Sequence, residues 1–366
     1  MEIRAAVLTA PNEPFRVETL ALDEPRIGEV RVRLAAVGVC HSDYHLVTGA
    51  TKHPMPVVAG HEGAGVVEAL GPGVTDLAVG DHVVLSWAPS CGTCFYCVNG
   101  RPNLCETYTG PIWAGTMLDG TTRLHWKDKP VYSYCGLAAF ATHTVVPRAS
   151  CVAIRKDVSL EAAALVGCAV ATGVGAAMFT AGVKPGATVV VFGCGGVGLS
   201  IIQGARLCGA KRIIAVDTSW TKIPVGRHFG ATSVVMANDD VTAIAKFYTD
   251  GRGADHAFEA VGSPELQLRA FDCVRPGGTV TLAGLSPMDS QTNFNGAVIA
   301  RQEKTIKGSY YGGINARRDF PMLIDLYVMK KLNLDDMITR RYRLEQINEA
   351  FADMVKGNLA RGVIVL

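Results

Sequence analysis

The apolar and polar residues follow two different patterns along this chain. In the first 150 residues, β-rich stretches at Val30–Val39, Gly65–Leu70 and Asp81–Trp87 are separated by turn residues such as Gly71-Pro72-Gly73. That pattern predicts an irregular β-domain. From about Ser159 the pattern changes. Ser159 followed by Glu161 opens an Ala-rich helix, and the uncharged run Ala162–Val183 predicts a buried, tightly packed helix. Apolar strands are then expected at Ala187–Phe192, Arg212–Val216, Ser233–Met236, Ala257–Ala260 and Thr279–Leu282. Helices at Gly198–Cys208, Thr221–Phe229, Val241–Tyr248 and Pro264–Val274 alternate with them. Continuous apolar strands between helices predict a doubly wound parallel sheet covered on both faces. The last 50 residues add helices at Phe320–Lys331 and Leu344–Lys356 and a strand at Val363–Leu366.

Composition narrows the picture without changing it. A chain of 366 residues has room for two domains. The formal net charge of +2 and the absence of a Lys/Arg-rich run argue against a nucleic-acid partner. Ala162–Val183 is long enough to cross a bilayer, but Gly and Ala dominate it, so no membrane span is expected. The N-terminus lacks the apolar core of a signal peptide, and eleven cysteines then fit a reducing cytoplasm.

Four of those cysteines, Cys91, Cys94, Cys97 and Cys105, are spaced C-x2-C-x2-C-x7-C. Four thiolates that close together suit one tetrahedral Zn²⁺ with no open position, which makes the lobe structural. Two disulfides are the alternative, and cysteines three apart rarely reach disulfide geometry.

Gly193-Cys194-Gly195-Gly196-Val197-Gly198 follows a predicted strand and opens a helix. Glycines there let backbone amides approach a pyrophosphate at a helix N-terminus. Asp217 ends the next strand, 19 residues after Gly198. A carboxylate at that point accepts hydrogen bonds from an adenosine ribose and repels a 2′-phosphate, so NAD is expected rather than NADP. A capping Asp in some other doubly wound enzyme is the alternative.

Three further segments hold metal-compatible residues: Gly38–His45, Gly60–Gly65 and Gly167–Gly173. Two thiolates and one imidazole would leave zinc a position open to an alcohol. With the four-cysteine lobe and the glycine turn, these segments make the chain resemble the zinc-dependent medium-chain alcohol dehydrogenases over essentially its whole length. Its Ile112–Val131 segment resembles the longer, typically dimeric branch.

The resemblance implies a GroES-like catalytic domain at 1–169 and 312–366, with the structural zinc lobe at 88–110, and a Rossmann NAD-binding domain at 170–311. It implies Cys40, His61 and Cys168 as catalytic zinc ligands, Glu62 as the carboxylate beside the metal, and Asp43 as the acid that orients the ligand histidine. Ser42 would take the substrate proton and His45 would pass it to water. His41 and Arg361 would contact the pyrophosphate, Lys222 the adenosine ribose, and Thr172 would join the cofactor contacts with Gly193, Gly195, Gly196, Val197, Gly198 and Asp217. The implied enzyme is cytoplasmic and homodimeric, holds two Zn²⁺ per subunit, and reversibly oxidises small-molecule alcohols with NAD. By analogy with water, a bound zinc would lower an alcohol's pKa from ~16 to about 7.

Two departures bear on substrate. The glutathione-dependent formaldehyde-oxidising class places an acid and an arginine where this chain has Thr51 and Thr109, so that activity is not expected. Trp87, Ile112, Trp113, Tyr134 and Tyr310-Tyr311 make the expected substrate pocket aromatic, which suits flat or apolar alcohols, although simple core filling explains them equally. Cys135, Cys151, Cys194, Cys208 and Cys273 are expected to be buried thiols. A non-catalytic dinucleotide-binding protein and a zinc-ribbon nucleic-acid module are the competing classes.

Overall fold

Alternation in the strand Glu29–Gly38 shows how the first part of the chain folds. Val30, Val32 and Leu34 are buried while Arg33 faces solvent. A strand of period two buries one face, so it seeks partners that cover that face. The computed structural model, which describes residues 1–357 and 359–366, divides into two compact units. Met1–Cys168 with Asn315–Leu366 forms one, and Ala169–Ile314 forms the other.

The first unit contains a closed barrel and a seven-stranded sheet. The barrel runs Glu2–Leu8, Arg16–Leu22, Leu124–Trp126, Lys129–Ser133 and Val57–Val58. Ile3, Val7, Leu20, Leu22, Val58 and Val131 fill its core. The larger sheet runs Cys151–Ile154, His82–Leu85, Gly63–Leu70, Glu29–Gly38, Arg361–Val365 and Ile338–Arg343, and His143–Pro147 also pairs with Glu29–Gly38. The C-terminal strand therefore lies beside the strand that leads into Cys40. Sequence patterning missed the first two barrel strands, in which apolar and polar residues do not alternate strictly, and Ile338–Arg343, which carries Thr and three Arg among its six residues.

The second unit carries a six-stranded parallel sheet in the order Ser233–Met236, Arg212–Asp217, Thr188–Phe192, Ala254–Glu259, Val274–Leu282 and Thr305–Gly308. Every residue of Thr188–Phe192 is buried, as a strand covered on both faces requires. The strand order reverses on either side of this strand, which places a topological switch point at its C-terminal end. The fold is α/β, an irregular β-rich GroES-like unit with a doubly wound Rossmann sheet. Sequence reading found the first five strands and missed Thr305–Gly308, a four-residue edge strand with three exposed positions.

One expectation is corrected. Ala162–Val183 is not a single helix. It consists of helix Leu160–Ala164, a 3₁₀ turn Leu165–Gly167, helix Ala169–Gly175 and a π-helical turn Ala176–Ala181. Between the first two and the last two, Cys168 takes φ −145° and ψ −77°, outside the helical region. Ala-rich composition favours helix, but the turn at Cys168 redirects the backbone at a residue whose thiol is needed elsewhere. Ser159 does cap the first segment, its Oγ accepting the Ala162 N–H. No single helix among the described residues is long and apolar enough to cross a membrane.

Candidate metal and dinucleotide sites

Cys40, His61 and Cys168 converge although 128 residues separate the first from the last. Cys40 ends the run from Glu29–Gly38 and N-caps helix His41–Val47. His61 immediately precedes Gly63–Leu70, which pairs with Glu29–Gly38. Cys168 follows Gly167, whose Cα lies against the Leu85 carbonyl and the Glu62 backbone; a Cβ there would meet them at 3.0 and 3.4 Å. The three ligand atoms lie within 4.8 Å of one another, and all three residues are buried.

Asp43 supplies the orientation. Its Oδ1 lies 3.0 Å from His61 Nδ1 and accepts the Gly60 N–H at 2.9 Å. A histidine that gives Nδ1–H to a carboxylate turns Nε2 outward as a lone-pair donor. Burial pushes the Asp43 carboxyl up. Burial also opposes charge on His61, but Asp43 and Cys40 outweigh it and hold the imidazole well above its ordinary range. A hydrogen bond from the Cys168 thiol holds Cys40 well below the usual thiol range, and the same contact raises Cys168. Two buried cysteine sulfurs and a carboxylate-oriented imidazole form a donor set for a soft divalent cation, and zinc fits it.

Glu62 is fully buried and ion-paired with the Arg361 guanidinium. Gly38 makes room for the pair: a Cβ at that position would overlap the Glu62 carboxylate and reach Arg361 Nη2 at 3.0 Å. The family resemblance implied a metal-side acid at Glu62 and a pyrophosphate contact at Arg361 separately. Their pairing comes from the neighbouring strands that carry Gly38 and Arg361.

Ser42 and His45 stand three apart on helix His41–Val47, the spacing that puts two side chains on one face. Ser42 Oγ lies 3.8 Å from Cys40 Sγ, and the Ser42 carbonyl accepts the Tyr134 hydroxyl at 3.1 Å. His45 is half-buried and His41 is exposed. Trp87 and Tyr134 meet the His61 ring edge-on, at centroid distances of 6.5 and 5.8 Å. Ile112 is buried and Trp113 partly exposed, on helix Glu106–Ala114. Tyr311 is buried and Tyr310 exposed, both in the second unit.

The Cys91, Cys94, Cys97 and Cys105 sulfurs also lie within 4.8 Å of one another. Cys91 and Cys97 are 4.0 Å apart and Cys94 and Cys105 3.8 Å. A disulfide needs about 2.05 Å. Four sulfurs about 2.3 Å from a central zinc stand about 3.8 Å apart, so the tetrahedral reading fits and the disulfide reading does not. The N–H groups of Thr93 and Cys94 point at Cys91 Sγ at 3.4 and 3.2 Å, where they favour its ionised form. A hydrogen bond from Thr107 and these amides bring the Cys91 thiol down to about 5.

Of the remaining cysteines, Cys135, Cys151, Cys194 and Cys273 are buried, and burial pushes each thiol up to about 12. Cys208 departs from the expectation. It is only partly buried, near the C-terminal end of helix Gly196–Leu207.

In the second unit, Gly193 leaves the strand Thr188–Phe192 and Gly196, Val197 and Gly198 begin helix Gly196–Leu207, with Gly195 as its N-cap. Gly198 packs directly on the Gly193 carbonyl, where any Cβ would overlap it. Nothing lies within 4 Å of the space a Gly195 side chain would fill, so that face of the turn is open to a phosphate. Asp217 ends its strand and accepts the Cys194 N–H on Oδ2 at 2.8 Å and the Ser219 N–H on Oδ1 at 3.0 Å. Lys222 is buried near it; burial lowers the ammonium and Asp217 opposes that shift. Thr172 is buried on helix Ala169–Gly175, which packs on the glycine-turn helix.

Similarity to known proteins agrees with this geometry. The family "Alcohol dehydrogenase GroES-like domain" matches residues 26–156, and "Zinc-binding dehydrogenase" matches residues 196–329. The chain is 41% identical over 368 residues to an NDMA-dependent alcohol dehydrogenase of Amycolatopsis methanolica, covering 100% of this chain and 99% of that one. It is 38% identical to an alcohol dehydrogenase class-3 of Dictyostelium discoideum, covering 99% and 97%. The crystal structure of benzyl alcohol dehydrogenase from Acinetobacter calcoaceticus superposes with TM-score 0.95 at 33% identity, covering 100% of this chain and 99% of that one. The chain belongs to the zinc-dependent medium-chain alcohol dehydrogenase family.

Proposed function

We propose that this protein reversibly oxidises alcohols to aldehydes or ketones, with NAD as hydride acceptor and two zinc ions per subunit. The observation that carries the reading is the buried Cys40, His61, Cys168 cluster with Asp43 behind His61. Cys40, His61 and Cys168 would hold the catalytic zinc, and Cys91, Cys94, Cys97 and Cys105 the structural one. When bound, zinc supplies a Lewis acid that lowers the pKa of an alcohol, and the nicotinamide supplies the hydride acceptor.

The protein's own groups then handle position and protons. Asp43 fixes the His61 tautomer, and Ser42 accepts the alcohol proton, which His45 relays to solvent from the same helix face. Arg361 neutralises Glu62, so the buried carboxylate does not repel an alcohol oxygen that carries negative charge. The open face at Gly195 and the Asp217 carboxylate favour a dinucleotide lacking a 2′-phosphate. Trp87 and Tyr134 beside His61 favour flat or apolar alcohols, and neither Thr51 nor Thr109 offers a charge to a carboxylated thiol adduct. The protein would work as a homodimer in the cytoplasm, 1–169 with 312–366 carrying catalysis and 170–311 the cofactor.

An alcohol panel that includes aromatic alcohols, run with NAD, NADP and NDMA as acceptors and followed near 340 nm for the nicotinamides, tests this. Turnover with NAD is expected. No turnover of any alcohol by zinc-replete protein would refute the reading, and turnover with NADP alone would refute the cofactor.

A further inference from the structure

Glu259 ends the strand Ala254–Glu259 directly opposite Phe192, across the switch point of the parallel sheet. It is a fully buried acid that no step so far uses. Its Oε1 accepts the Val261 N–H at 2.8 Å and the Gly262 N–H at 2.7 Å, with Ser263 N–H at 3.4 Å. Its Oε2 has no partner of hydrogen-bond geometry and lies against Gly284, where a Cβ would come within 2.7 Å. The turn it holds is not buried: Val261 is 55% exposed, and its Cγ2 faces Gly193, the first glycine of the phosphate turn. The Ala260 N–H also binds the Phe192 carbonyl, joining the two turns at one rim.

In a doubly wound sheet a dinucleotide lies across the switch point, one mononucleotide on each side. Asp217 stands on one side, where the adenosine ribose would lie. The Val261–Ser263 turn stands on the other. We infer that Glu259 is a positioning residue for the nicotinamide half of the dinucleotide, its carboxylate fixing the Val261–Ser263 turn beside Gly193. This inference rests on the NAD reading. Without the Oε1 acceptor, three turn amides lose their partner, and an exposed turn without that tie samples other conformations.

The test compares Glu259→Gln, which keeps the Oε1 acceptor, with Glu259→Met, which keeps the volume and removes it. NADH and AMP are titrated calorimetrically into zinc-replete protein. Glu259→Met should weaken NADH by about tenfold and AMP by less than about twofold, and Glu259→Gln should stay within about threefold of wild type for both. Equal weakening of NADH and AMP by Glu259→Met, or no weakening, overturns the assignment. Should Glu259→Met fail to fold, amide exchange at Val261–Ser263 in the wild type decides. NADH and not AMP should slow it, and slowing by both or by neither overturns the role. Wild-type protein that binds neither ligand overturns the NAD reading itself, whereas binding with an unchanged Glu259→Met overturns only the role of Glu259.

Discussion

Asp43 Oδ1 lies 3.0 Å from His61 Nδ1, with the two side chains 0% and 2% exposed. An imidazole held this way cannot swing or change tautomer, so its other nitrogen faces the same point as the Cys40 and Cys168 sulfurs. Asp43→Asn keeps the shape and removes the charge. Zinc affinity at this centre should fall by about 10- to 100-fold, read by competition with a chelator, while the four-cysteine lobe keeps its metal. Loss of both zincs in parallel would mean that Asp43 acts through the fold instead.

The two sulfur clusters should separate by function. Cys105→Ser removes one of four ligands that hold a surface lobe together, so thermal stability and soluble yield should drop because metal binding and local folding are coupled. Cys168→Ser should abolish turnover and leave the melting temperature close to wild type. Metal analysis should give two zincs per folded chain, and one per active chain would contradict the scheme.

Asp217→Ser should change cofactor choice. The substitution removes the ribose acceptor and the charge that repels a 2′-phosphate, and it releases the Cys194 and Ser219 N–H groups that now bind the carboxylate. The ratio of kcat/KM for NAD over NADP should fall by at least about tenfold. An unchanged ratio would place the discrimination elsewhere.

His45→Gln should slow alcohol oxidation near neutral pH and recover at alkaline pH, where hydroxide takes the proton without a relay. Ser42→Ala should stay slow throughout. A His45→Gln rate profile that overlays wild type from pH ~6 to ~9 removes His45 from the relay.

Buried thiols should make this protein sensitive to alkali. Burial pushes Cys151 up to about 12, above the value an unfolded cysteine has, about 8.5. The folded thiol stays protonated while the unfolded one ionises. Its stabilising contribution is therefore complete below about pH 8.5 and is lost as pH rises toward 12, at about 1.4 kcal/mol per unit. Urea midpoints should fall between pH 9 and 11, and Cys151→Ala should show a shallower fall than wild type. Parallel slopes for the two proteins would contradict the linkage.

What was legible in the sequence is what short spacings encode. The C-x2-C-x2-C-x7-C lobe closes on itself within fifteen residues, so its sulfurs reach tetrahedral separations without help from the rest of the chain. The Gly193–Gly198 turn and Asp217 are likewise set by one strand–turn–helix–strand passage, and the unbroken apolar strands announced a parallel sheet. Cys40, His61 and Cys168 were found through resemblance, since each alone is an ordinary buried thiol or turn histidine.

Contacts between distant segments were decided only by tertiary structure. The break at Cys168 overrides an Ala-rich helical pattern, because packing of Gly167 on Glu62 and Leu85 outweighs a propensity of a few tenths of a kcal/mol per residue. Glu62 meets Arg361 because the C-terminal strand pairs with Glu29–Gly38, a register that no local pattern records. Glu259 lies inside the strand expected at Ala257–Ala260 and carried no expectation of its own. The turn amides that its carboxylate holds follow within four residues, but only the sheet order, which sets its strand beside Thr188–Phe192, seals that carboxylate from water. Sequence periodicity reports which face of an element is apolar. Which elements meet, and so which charges must share a dry interior, depends on pairing between segments far apart in the chain.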